Sequence, residues 1–230
     1  MSAIKALALL VCLTVSWVDV AFAIDVESAI PPQTIRDNQL TIGSRTLRLP
    51  EGTWNYVAQT KTDVLEAVLR TRLGTRYHVY AMDVKNGRFN HGVELQMLVN
   101  SISPTGWVAD PCKKEGYLFK DELSGGPKTP ECLTVYKRES HLRRPSGDFY
   151  PQASQWTARE KIKLPGAVYE VTYTRYAAGE HGMVRVWVPV DHIAGDEAMV
   201  AWAKGLPERL RRLFERREND AFLPPIPSRD

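Results

Sequence analysis

The sequence predicts a single α+β domain, an antiparallel sheet built from hairpins and covered by C-terminal helices. Three observations carry that prediction. Segments that alternate apolar and polar residues recur through the chain, most clearly Val93 to Val99 and Tyr169 to Thr174. Tight-turn signals join them, and Asn86-Gly87 is the strongest. Helical spacing is clearest late, from Gly195 to Arg217. With 43% hydrophobic and 25% charged residues among 230, the composition is globular and excludes a disordered chain, a collagen-like repeat and a multipass membrane protein. Thirty Lys and Arg against 27 Asp and Glu give a net charge of +3, too weak a field to announce a nucleic-acid partner.

The first element in order is an export signal. Lys5 supplies the positive start, Ala6 to Val15 is an apolar run, and Ala21 and Ala23 are the small residues that a signal peptidase reads. Cleavage is expected between Ala23 and Ile24, making residues 1–23 a signal peptide and the product a soluble periplasmic or secreted protein. The apolar stretch from Ala6 to Val18 spans 13 residues, whereas a membrane helix needs about 20. Cys12 follows Val11 inside that run, which does not suit lipid attachment. Export leaves Cys112 and Cys132 in an oxidising compartment, where they are expected to form a disulfide across a loop rich in Gly and Pro. Neither belongs to a Cys-x-x-Cys pair or has a His at zinc-ligand spacing, so no metal is expected.

Residues 24–38 form an extended lead-in containing Pro31-Pro32. Leu40 to Ile42 and Arg45 to Leu49 flank Gly43-Ser44 as a small hairpin, with Leu40 opposite Leu47 through a type II′ turn. Thr53 to Gln59 is a strand with Trp54, Tyr56 and Ala58 on one face, interrupted by Val57. Thr62 to Leu73 satisfies helical and strand periods equally. Tyr77 to Val84 and Gly92 to Val99 form the Asn86-Gly87 hairpin. Leu133 to Tyr136 is a strand, and Ser146 to Glu160 holds turn residues with a short helix. A second hairpin joins Tyr169–Thr174 to Val184–Val190 through the turn AAGEHG, which contains His181. Helices follow from Gly195 to Lys204 and from Leu206 to Arg217, divided at Gly205-Pro207. The domain is thus expected over 39–218, with a Pro-rich tail over 219–230.

Chemistry is less legible. The nucleophile elbow, phosphate loop, dinucleotide fingerprint and His-Glu-x-x-His template are absent from the sequence, so no cofactor or catalytic residue is predicted. The histidines lie in separate segments, and His181 is expected to be solvated in its turn. His78 or His91 would need a carboxylate delivered by the fold to act in a hydrolase-like enzyme. Phe149, Tyr150 and Trp156, with Trp107, Tyr117 and Phe119, either stack on a sugar or peptide or simply fill the core. Trp187 and Trp202 read as packing between a strand and the helix docked against it.

Charge is concentrated in the last helix. Lys204 to Glu218 carries six cations and three anions, and Leu206, Leu210, Leu213 and Phe214 form an apolar stripe. Arg209, Arg211, Arg212, Arg216 and Arg217 are expected to face outward, as a solvated surface or a dock for an anionic membrane or an acidic envelope protein. The order Leu49-Pro50-x-Gly52-Thr53-Trp54, an Asn-Gly hairpin, the Cys112/Cys132 pair and the late helix with Trp202 resembles uncharacterised exported, periplasmic proteins of Gram-negative bacteria. That resemblance implies a periplasmic address and no activity. A helix-terminated antiparallel sheet is also similar to folds used by non-enzymatic assembly factors. The functional expectation is a non-enzymatic binding or assembly module, with a periplasmic enzyme as the alternative.

Overall fold

The computed structural model describes residues 23–65, 72–99, 112–113, 115–124, 130–146, 149–177, 180–214 and 220–227. The signal segment before Ala23, residues 66–71 of the ambiguous Thr62–Leu73 stretch, Trp107, Arg216 and Arg217 lie outside them. In chain order come β1 (Ile24–Asp25), β2 (Gln33–Thr34), β3 (Gln39–Ile42), β4 (Arg45–Arg48), β5 (Trp54–Leu65), β6 (Arg72–Lys85), β7 (Arg88–Val99), β8 (Phe119–Ser124) and β9 (Glu131–Glu139). They are followed by α1 (Tyr150–Arg159), β10 (Ala167–Ala177), β11 (Glu180–Pro189), α2 (Asp196–Lys204), α3 (Leu206–Leu210) and β12 (Asp220–Phe222). The architecture is mostly antiparallel β with few helices. Eight strands form one sheet in the order β2-β5-β6-β7-β11-β10-β9-β8, and β1-β3-β4-β12 form a second.

Turn chemistry explains the hairpins. Asn86 and Gly87 both have positive φ, 52° and 68°, which a type I′ turn requires. At Gly43 only the first loop residue is positive, at 59°, as in a type II′ turn, and Leu40 pairs with Leu47 as expected. Thr62–Leu65 and Arg72–Leu73 are strand at both described ends of the ambiguous stretch.

Two expectations about faces are corrected. A bulge between Tyr56 and Ala58 makes Val57 the extra residue, so Ala58 moves to the face opposite Trp54 and Tyr56. The β10–β11 pairing runs on to Ala177 and Glu180, so His181 lies in a strand opposite Tyr176 and is buried.

The sheet therefore has two distinct faces. One carries Val79, Leu95, Val135, Val171, Val186 and their neighbours, and is covered by α2, α3, the 3-10 turn Arg211–Phe214 and the second sheet. Leu206, Leu210, Leu213 and Phe214 all bury there, as their spacing predicts. The lead-in and the tail also pack into this core: β1 pairs with β3, β12 pairs with β4, and Val26, Leu223 and Ile226 are buried. The other face is partly covered by α1, which docks Ala153 and the preceding Phe149 against Ala58, Tyr80, Met82 and Trp187. Trp187 and Trp202 thus serve opposite faces rather than packing strand against helix. Among the described residues, no helix is long and apolar enough to cross a membrane.

Candidate functional site

Beyond the reach of α1, the second face of the sheet is polar, and its register assembles a site from five strands. One cross-strand row runs Tyr80, Glu94, Arg185, Thr172 and Thr134 on β6, β7, β11, β10 and β9. The row beside it runs His78, Gln96, Met183, Thr174 and Cys132 over the same strands. Directly opposed residues on one face are within contact distance, so each row is continuous. All of these side chains but the fully buried Tyr80 line a cleft of about 360 Å³, within the size range of small-ligand pockets, together with Tyr150 from α1 and Tyr117 and Tyr136 at its rim.

Glu94 is the centre of the site. Its carboxylate is 1% exposed and accepts from Arg185 Nη1 at 2.9 Å to each oxygen, from Tyr150 Oη at 2.6 Å, and sits 2.6 Å from His78 Nε2. Burial alone would raise its pKa, but the Arg185 charge, the His78 contact and the Tyr150 hydroxyl together hold it down at about 2. Glu94 is therefore ionised, and the His78 nitrogen that faces this anion, Nε2, must carry a proton. Phe149 stacks on that ring at 3.8 Å between centroids and fixes its plane. Burial likewise raises the pKa of Tyr150, so its hydroxyl stays a donor.

Arg185 continues the network away from Glu94. Its Nε lies 3.2 Å from Glu170 Oε1 and donates to Thr172 Oγ1 at 3.1 Å, while the other oxygen of Glu170 meets Arg138 at 3.0 Å. Two carboxylates and two guanidiniums thus neutralise one another across the cleft floor. At the rim, Tyr117 and Tyr136 lie 4.7 Å apart between ring centroids, and Arg138 sits over Tyr136. Cys112 and Cys132 are both buried and both lie close enough to Tyr117 to act on its hydroxyl, whose pKa burial raises first of all.

Of the histidines proposed to gain a carboxylate, His78 enters this cleft. His91 does stand 3.7 Å from Asp83, but Asp83 is already bound by the Thr53 amide at 2.7 Å and Asn90 at 2.5 Å, away from the cleft lining. His181 is not solvated: it lines the cleft, stacks on Tyr176, and burial lowers its pKa to about 3. Of the aromatics, Phe149 is committed to His78, Trp156 packs from α1 against the cluster under that helix and Phe119 packs on the opposite core, leaving Tyr117 and Tyr150 on the cleft.

The C-terminal arginines divide. Arg211 stays partly exposed, and its guanidinium also reaches the buried Glu131 at 2.9 Å. Arg209 stacks over the exposed Phe222, and Arg212 lines a shallow groove beside it. Ile24, expected as the first mature residue, pairs with Leu40, and Ala23 precedes it.

Glu94, Arg185, Glu170 and the threonines were not legible as a site. Each occupies the polar side of an alternating strand, which in sequence means only solvent. Among the described residues no group of three or more His, Cys, Asp or Glu side chains is arranged to hold a metal ion. Comparison with protein-family models, curated proteins and solved structures finds no match to the chain.

Proposed function

We propose that the protein is a non-enzymatic binding module of the cell envelope, exported to the periplasm or secreted, whose ligand occupies the cleft on the polar sheet face. One observation carries this reading: ionised groups that are costly to bury are gathered on the floor of an open cleft, each matched by partners. Folding alone does not call for such a network, since well-packed apolar residues would stabilise the sheet as well or better, whereas functional sites concentrate perturbed titratable groups. The test is ligand-observed NMR with a fragment library on the native protein and on Thr174→Trp, which fills the cleft. Binding by several mutually competing fragments, lost in Thr174→Trp at unchanged fold, supports the cleft; no binding, or binding indifferent to the substitution, overturns it.

The address rests on the Lys5, Ala6–Val15, Ala21 and Ala23 pattern. N-terminal analysis of the exported protein should begin at Ile24, and Met1 retained in a membrane fraction would overturn it. The same compartment favours a Cys112–Cys132 disulfide, which would close a loop of about 20 residues and stabilise the fold by roughly 3 kcal/mol. Cys112→Ser and Cys132→Ser should lower the melting temperature alike and non-additively; thiols that titrate in the unfolded, unreduced protein would refute the bridge.

A second reading has its own observation. Glu94 holds His78 by Nε2, which leaves Nδ1 as the ring nitrogen turned from the carboxylate, the placement that a general base has in a hydrolase-like enzyme. Turnover of a fluorogenic ester, amide or glycoside that disappears in His78→Asn would replace the binding reading with this one.

A further inference from the structure

The cleft's own chemistry narrows what it can hold. We infer that the ligand is an uncharged, polyhydroxylated molecule of saccharide type, seated on the threonine side of the cleft against the Tyr117/Tyr136 rim. The inference rests on the cleft being the binding site and adds its chemical class.

The charges come first. The charge of Arg185 is already matched: Nη1 is spent on Glu94 and Tyr150 and Nε on Glu170 and Thr172, while Nη2 has the Met183 sulfur at 3.5 Å. Glu94 is taken by Arg185, Tyr150 and His78, and Glu170 by Arg185 and Arg138. An anionic ligand would have to be stripped of water beside guanidiniums whose charge is already matched by carboxylates, and a cationic one beside carboxylates already matched by guanidiniums. The floor therefore selects against both signs of charge.

Among the remaining lining groups the threonines and Gln96 are neutral and two-sided, and Met183 adds apolar surface. Thr134 and Thr174 present hydroxyls, and Gln96 presents an amide. A hydroxyl both donates and accepts, and an amide does each at a different atom, so this set suits a ligand whose own groups do both. Neighbouring strands are about 4.8 Å apart and alternate residues on one strand about 6.8 Å apart. Thr134, opposite Thr172 on the next strand, and Thr174 two residues further along thus form a grid over one ring-sized area. Tyr117, half-buried beside Tyr136, adds apolar ring surface, the complement of the C–H faces of a sugar ring, while the Tyr136 ring is taken up by Tyr117 and Arg138.

The test measures binding of three probes to the full exported chain by titration calorimetry and saturation-transfer NMR: cellotriose, triacetylchitotriose and the anionic trigalacturonate. At least one neutral trisaccharide should bind, with trigalacturonate at least tenfold weaker. Thr134→Val and Thr174→Val, which keep side-chain shape, should each weaken the neutral ligand about tenfold without moving the melting temperature by more than a few degrees. Trigalacturonate binding as well as the neutral probes, or neutral binding unchanged in both valine variants, overturns the inference. Fragments that compete in the cleft while neither neutral trisaccharide binds overturn the saccharide class and leave the cleft standing. Absence of both fragment and saccharide binding overturns the cleft itself.

Discussion

The two faces of the large sheet carry the same device and put it to different ends. On the cleft face Glu94 accepts from Tyr150 at 2.6 Å and from Arg185; on the helix-covered face Glu131 accepts from Tyr173 at 2.7 Å and from Arg175 at 2.8 Å. Each face also has a glycine beneath an aromatic ring, Gly92 under Tyr80 and Gly182 under Phe214. The difference lies in the last partner. Glu131 is completed by Arg211, which belongs to the turn after α3, so that network fastens the C-terminal segment to the sheet. Glu94 is completed by His78, whose side chain stays 21% exposed in an open cleft. A buried carboxylate with Tyr and Arg partners is thus a fastener where another element closes over it, and the floor of a site where none does.

Acid should separate the faces most strongly. His141 and His181 both belong to the cleft side, and burial lowers each to about 3 from 6.5. A histidine with a depressed folded-state pKa contributes stability that is present above its unfolded value and is lost as pH falls toward the folded one. Each should therefore remove about 1.4 kcal/mol per pH unit below 6.5, with His192, half-buried and also lowered by burial, adding in the same direction. Glu94 joins only below 4.5, since its loss runs from there to about 2. Urea unfolding at pH 7, 5.5 and 4.5 measures this. Flatter profiles in His141→Gln and His181→Gln would place the acid-sensitive groups on the cleft face, and unchanged profiles would break the distinction.

Local chemistry explains which parts of this arrangement were legible in sequence. The Asn86-Gly87 and Gly43-Ser44 turns have reasons within two residues, and so were readable. The buried stripe of Leu206, Leu210, Leu213 and Phe214 was readable because helical spacing is itself local. The bulge at Val57 was visible only as an interruption, since the face that Ala58 takes depends on how β5 pairs with β6. The site was hidden for a stronger reason. Glu94 and Arg185 are 91 residues apart and meet because β7 pairs with β11, a register that neither strand specifies alone. His181 looked like a turn residue because AAGEHG reads as a loop, although Gly182 is there to admit the Phe214 ring.

Removing one partner from each network should also discriminate the faces. Arg185→Met leaves Glu94 and Glu170 without their shared cation inside the sheet, and losses of roughly 3–5 kcal/mol are typical of such a change. Glu131→Gln keeps hydrogen-bonding atoms beside Arg175 and the 43%-exposed Arg211, where water can compensate, so a loss of about 1–2 kcal/mol is expected. Chemical denaturation of the two variants reads the difference directly. Equal losses would show that the covered network is as dry as the open one.

The paired glycines provide a smaller contrast. A Cβ at Gly182 would stand 1.9 Å from the Phe214 ring, and one at Gly92 would stand 2.3 Å from the Tyr80 hydroxyl. Neither ring can remain in place, so Gly182→Ala and Gly92→Ala should each cost about 1–3 kcal/mol, as overpacking does. Their secondary effects should differ. Gly182→Ala should loosen the Arg211–Phe214 turn, read as faster amide exchange there, whereas Gly92→Ala should disturb the Tyr80 row and weaken cleft binding. Exchange that rises equally in both regions for both variants would mean that the faces do not act separately.

The smallest effect concerns the surface arginines, and the structure changes which of them should matter. Arg211, though partly exposed, is engaged with the buried Glu131, whereas Arg209 and Arg212 stand beside the exposed Phe222. Glu208 and Asp220 lie in the same groove and Arg48 pairs with Asp220, so the local excess of positive charge is modest. An anionic phospholipid surface would draw on Arg209 and Arg212 by on the order of 1 kcal/mol each at low salt, with the Phe222 ring available to the headgroup layer. Co-sedimentation with anionic liposomes across a salt series should then show weak, salt-sensitive binding that Arg209→Glu/Arg212→Glu abolishes. Arg211→Glu should leave that binding nearly unchanged while lowering the melting temperature, because it sets a second carboxylate against Glu131. If binding is absent at low salt, or survives the double reversal, the arginines are a solvated surface; if Arg211→Glu alone abolishes binding without destabilising the fold, the assignment of Arg211 to the fastening network is wrong.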